Sequence, residues 1–268
     1  MTDVQLSPWL RLILFMIANL LIVLMAPVSY SLFTGELLAL VATAVFFLTF
    51  ILMYVVTWVF VRLDGGRSVE ELGVTVDQRF GSHITIGAIA GTISAVLVVA
   101  IAYFFGGQLR PLDQITGDLI VNEIIITAPT AFFEELVHRG YILSRMEGLA
   151  GKRVAIFFSS LFFSLLHFTW WAEPGFPMHL AILFTFNMFL GGVVLSFSYY
   201  WSGRRLWVPI AFHFMWNMIA YLVFPTFPRE AVIQPEIFQI EWGITTIAGF
   251  LLGLSILWSL LATVKNKE

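Results

Sequence analysis

Residues 118–146 read DLIVNEIIITAPTAFFEELVHRGYILSRM. The length and apolar content suit a helix that crosses a bilayer, yet the stretch carries Glu123, Glu134, Glu135 and Arg139. An Asp, Lys or Arg at the centre of a membrane span costs about 2.5–3.5 kcal/mol on insertion scales, so such groups are rarely idle there. Hydropathy alone underrates this segment. Pro129 within it removes one backbone donor and is a candidate kink.

The rest of the chain makes a membrane reading necessary. Of 268 residues, 59% are hydrophobic and 12% charged, against about 25% charged in ordinary soluble domains. Apolar stretches of bilayer-crossing length occur at 10–32, 37–61, 84–106, 153–171, 178–201, 207–224 and 242–264. With 118–146 they predict an all-α, polytopic transmembrane helical bundle of about eight spans, one membrane domain over 1–268. The first span is too long for a signal-peptide core and lacks a cleavage site, so it reads as retained. With no cysteine, disulfides and thiolate metal sites are excluded. There is no phosphate-binding glycine loop and no basic patch, so nucleic acid is not an expected partner; the lipid bilayer is.

Arg11, Arg62, Arg67, Arg79, Arg145, Lys152, Arg153, Arg204, Arg205, Lys265 and Lys267 fall on one side of these spans. Only Arg110 and Arg229 fall on the other. The positive-inside rule then puts both termini in the cytoplasm. Trp9, Trp58, Trp170, Trp171, Trp201, Trp207 and Trp242 lie near span ends, as an interfacial aromatic belt requires. Ser68-Val69-Glu70-Glu71 has the form of a capping box and predicts a short interfacial helix.

Helical residues four apart share a face, while adjacent ones diverge by about 100°. Glu134 and His138 are predicted on one face, Glu135 and Arg139 on the next. The natural division has Glu135 pairing Arg139 while Glu134 faces a cavity. Phe163 and His167 share a face of the fifth span, and His213 and Asn217 one of the seventh. If the three spans pack together, Glu134, His167, His213 and Asn217 converge as carboxylate base, imidazoles and oxyanion donors. A glutamate with two histidines, here Glu134, His167 and His213, also suits a catalytic zinc, and the residues leave open whether zinc takes part. Singly, each has a plainer reading: a helix-bridging histidine, a Glu-Arg lock, an interhelical asparagine. Three motifs in order on three helices weaken those readings. Glu123 reads as a group near the outer interface or in a polar crevice, and His83 and His179 as hydrated span edges.

Together these residues resemble the CAAX protease and bacteriocin-processing family of intramembrane endopeptidases, related to the type II CAAX prenyl endopeptidases. The resemblance rests on Glu134-Glu135-Leu136-Val137-His138-Arg139-Gly140-Tyr141, Phe163-Ser164-Leu165-Leu166-His167 and His213-Phe214-Met215-Trp216-Asn217, and covers about 118–224. It implies a metallopeptidase-type catalytic cavity within the membrane, open to the cytoplasm, and hydrolysis of a peptide or membrane-protein substrate near that face. It implies that Glu134 and His167 activate water, that His213 and Asn217 hold the oxyanion, and that Glu135 and Arg139 support them. The short loops are similar to those of prokaryotic members, which implies the plasma membrane. His138 stands where many members carry an aromatic residue, and reads as a polar substitute. The rival reading is a non-catalytic adaptor that grips peptides in the same cavity; no inverted repeat supports a transporter. Counted from the cytoplasmic ends, Glu134, His167 and His213 sit at roughly 18, 21 and 9 Å, a spread that convergence must close.

Overall fold

The computed structural model describes residues 6–167 and 175–265, where every regular element is a helix. In chain order these are α1 (Pro8–Leu32), α2 (Gly35–Leu63), α3 (Phe80–Phe105) and α4 (Gly117–Glu135). An irregular helical stretch, Leu136–Leu143, leads into α5 (Ser144–Ala150) and α6 (Lys152–Leu165). The chain continues through α7 (Met178–Trp201), α8 (Trp207–Val223), the single turn α9 (Pro235–Phe238) and α10 (Thr245–Lys265). Five helices, α1, α2, α3, α7 and α10, are long and apolar enough to cross a membrane, and α8 is a shorter apolar helix. The bundle is therefore an all-α membrane fold.

Two of the expected spans are built differently. The 118–146 segment is not one α-helix: α4 passes through Pro129 without a break, and the regular winding ends at Glu135. Residues 136–143 then take the wider π winding, and every one of them is buried. The 153–171 segment stops being helical after Leu165, so α6 is only 14 residues long. Trp170, Trp171 and Lys267 lie outside the described residues.

Small residues set the helix spacing at the centre. A Cβ added to Gly91 of α3 would stand 2.5 Å from the Phe212 carbonyl oxygen, so α3 and α8 lie backbone to backbone. Gly192 of α7 meets Ser160 of α6 in the same way, at 2.8 Å from its Cβ. Close approach through small residues is how helices associate where lipid removes the hydrophobic drive between them.

The end of the bundle that carries the basic residues is cross-linked by ion pairs. Arg11 and Arg145 both pair with Asp64, at 3.2 and 2.6 Å, Arg204 with Glu147 at 3.0 Å and Arg205 with Asp77 at 2.6 Å. The Ser68 turn forms as expected in its chemistry: Ser68 Oγ accepts from the Glu70 N–H, and Glu71 reaches back to the Arg67 N–H. It is a 3₁₀ turn over Val69–Leu72, and it tucks into the bundle because Val69 and Leu72 are buried. The Leu206 N–H donates to the Gly73 carbonyl at 2.9 Å, and the Trp207 indole to Thr75. The first turn of α8 thus starts beneath this plug, with Leu206 and Val208 fully buried. Two surface expectations fail for the same reason, packing. Trp242 (4% exposed) and His83 (3%) are buried, whereas Trp9 and Trp58 are exposed as belt residues should be.

Candidate active site

Glu135, the last residue of α4, has no exposed surface, and its Oε1 accepts two hydrogen bonds. One comes from Arg139 Nη1 at 2.9 Å, the pairing the spacing predicted. The other comes from His213 Nδ1 at 3.0 Å. Arg139, equally buried, donates its other arm to the Gly192 carbonyl at 3.1 Å and lies 4.5 Å over the Phe163 ring. The tight α6–α7 approach at Gly192 is what brings that carbonyl within reach. Phe163 is therefore the floor under the guanidinium, a role the sequence reading did not assign.

Because a carboxylate only accepts, His213 must carry its hydrogen on Nδ1, which turns Nε2 toward Glu134. Glu134 Oε2 stands 3.8 Å from that nitrogen, a gap too wide for a direct hydrogen bond and one a water can bridge. His167, just past the end of α6, is fixed similarly: its Nδ1 donates to the Phe163 carbonyl at 2.9 Å, leaving Nε2 free as an acceptor. Glu134, His167, His213 and Asn217 all line one cavity of about 240 Å³. The convergence that depended on three spans packing together occurs, and the recessed start of α8 closes the depth mismatch. His138 does not join: it is 2% exposed, lies 5.1 Å from Phe163 ring to ring, and is outside the cavity lining.

Further walls of the cavity come from one end of the bundle. They are Phe184 in the early part of α7, Tyr221 two residues from the end of α8, and Phe227, Glu241 and Trp242 of the α8–α10 connection. All of these lie at the end opposite the start of α1. Toward the basic end, Leu72, Leu136, Val137, Leu206 and Ile210 form a packed apolar layer. That close-packed layer separates the cavity from the basic end.

Glu241 is a further acid in the lining that the sequence reading missed. It sits at φ 68°, in the left-handed region, where a non-glycine residue is held at a cost of order 1–3 kcal/mol. Its N–H donates to Thr246 Oγ1 at 2.8 Å, and its carbonyl accepts from Asn187 Nδ2 at 2.9 Å. Burial pushes its carboxyl up to about 7, with the nearby His213 acting in the opposite direction. Glu241 also lines a second cavity of about 200 Å³ with Glu123, which fulfils the polar-crevice expectation for Glu123.

Within this helical membrane bundle, then, a buried Glu-Arg-His lock lies beside a second glutamate and a second histidine that line a cavity. Residues 116–219 match the family model described as type II CAAX prenyl endopeptidase Rce1-like. That matched stretch, less than half of the chain, holds all three motifs and is similar to a family whose description implies protease, hydrolytic chemistry. No curated protein matches the chain.

Glutamate and histidine are donor types that suit zinc, but among the described residues no three His, Asp or Glu side chains stand together as a metal-holding group. His213 Nδ1 and His167 Nδ1 are committed to protein acceptors, so any metal held by these rings would be met by their Nε2 atoms. Dialysis of purified protein against EDTA or 1,10-phenanthroline should leave peptide hydrolysis unchanged. Loss of activity restored by one equivalent of zinc would reverse this assignment.

Proposed function

We propose that the chain is an intramembrane endopeptidase in which Glu134 activates water against a peptide bond. The observation that carries this reading is the His213 ring held between two carboxylates, Glu135 at 3.0 Å and Glu134 at 3.8 Å, at the wall of an accessible cavity. A water in that gap loses a proton to Glu134, with His167 Nε2 as its second acceptor. The hydroxide adds to the scissile carbonyl carbon. The oxyanion accepts from the Asn217 amide and from His213 Nε2–H, a donor when the ring is doubly protonated and its charge is offset by the flanking carboxylates. When the C–N bond breaks, Glu134 returns its proton to the leaving amine. Glu135 and Arg139 hold His213 in place.

Since the basic side is cytoplasmic by the positive-inside rule, the substrate is met from the opposite face: a peptide or membrane-protein segment presented there. Quantitative mapping of protein termini tests this, in membranes from cells expressing either wild type or Glu134→Gln at equal levels. New termini specific to wild type, in segments on the non-cytoplasmic side, are expected. Identical termini with the wild-type phenotype retained by the variant would support a peptide-binding adaptor instead.

A further inference from the structure

The 200 Å³ chamber beside the catalytic cavity shares Tyr221, Phe227, Glu241 and Trp242 with it, so a group bound in one is in reach of the other. Three polar side chains of that chamber offer acceptor oxygens. The Glu241 carboxylate makes no ion pair with Lys or Arg among the described residues. Glu123 is the second acid, and Arg110 supplies it with an opposing charge from the rim while donating to the Phe224 carbonyl at 3.1 Å. Gln239 is the third: it is 4% exposed, its Nε2 is spent on the Pro225 carbonyl at 3.0 Å, and its Oε1 is buried without a partner. A buried orphan acceptor is costly unless something donates to it. Half of the remaining wall residues, Tyr221, Phe224, Phe227 and Trp242, are aromatic, and aromatic faces attract cations. None of Gln239, Glu241 and Trp242 lies within the family-matched stretch.

We propose that this chamber is a substrate subsite for a positively charged side chain, lysine or arginine, seated between Glu241 and Gln239 Oε1 close to the scissile bond. The subsite rests on the peptidase reading for its purpose but not for its existence, because it can be measured by binding alone. The bond from Gln239 to Pro225 and the two backbone bonds of Glu241 hold both acceptors in place before substrate arrives. Such preorganisation turns an acidic wall into a specificity element. A neutral side chain of the same length would enter and leave Gln239 Oε1 unpaired, so it should bind less tightly.

The test uses full-length Glu134→Gln protein in detergent and fluorescein-labelled apolar peptides that differ at one central position: lysine, arginine or norleucine. By fluorescence anisotropy, the lysine and arginine peptides should bind about tenfold more tightly than the norleucine peptide, the scale of one charge-assisted hydrogen bond. Adding Glu241→Gln should shrink that ratio to within about twofold. Should Glu241→Gln fail to fold, Gln239→Leu on the same background should also narrow the ratio. Equal binding of the three peptides, binding of none, or a preference that survives both substitutions overturns the subsite. Cleavage by wild type with no charge preference would remove the subsite and leave the peptidase; charge-selective binding without cleavage would do the reverse.

Discussion

Glu134→Gln should lower the turnover of purified protein by about 10²–10⁴-fold, the range for removal of a general base, with KM little changed. The prediction follows from what the side chain touches. Its carboxylate is 20% exposed, and its closest ionisable partner, His213 Nε2, is at 3.8 Å. An isosteric amide therefore breaks no lock and should keep the fold, as size-exclusion profile and thermal unfolding would report. A fall in kcat at constant KM identifies an interaction made in the transition state rather than on substrate binding. Turnover within a few-fold of wild type would end the case for Glu134 as base.

The second large effect is on stability. Arg139→Met should destabilise the protein by about 3–5 kcal/mol, because it leaves Glu135 buried with its charge uncompensated. Arg139 and Glu135 side chains have no exposed surface, so water cannot replace the missing partner. The double variant Glu135→Gln, Arg139→Met removes both charges and should recover most of the lost stability, since apolar replacements of a buried pair are often neutral. Activity should stay lost, because His213 Nδ1 no longer has a carboxylate to hold its ring. Unfolding midpoints together with turnover separate the two roles. Equal stability of wild type and the single variant would mean that the pair is not the lock described here.

The bundle and the Glu135–Arg139 pair were legible because they follow from composition and from a four-residue spacing, both local properties. The lining positions of His167, His213 and Asn217 were legible only as a conditional on three helices meeting. What spacing could not give was the partner of His213. Two adjacent glutamates cannot point at one atom on an α-helix, yet they flank the two nitrogens of one ring, a geometry set by where α8 packs. Nothing in the neighbours of His138 announces the π winding that begins one residue after Glu135. The depth spread arose from counting α8 inward from the membrane face, when its first turn is sunk beneath the Val69–Leu72 plug. Gln239 and Glu241 carry no motif at all. They were invisible because their positions depend on a connection held by Asn187 and Thr246, contacts far away in sequence or without pattern.

On the proposed reading, the cavity and the basic end of the bundle face opposite sides of a bilayer whose hydrocarbon core is about 30 Å thick. Anything fused ahead of α1 or behind α10 therefore hangs in a different aqueous compartment from the one that feeds the active site. An affinity handle or fluorescent protein placed there is shielded from the enzyme by the membrane itself, and a reporter meant to be cut must be delivered from the other side.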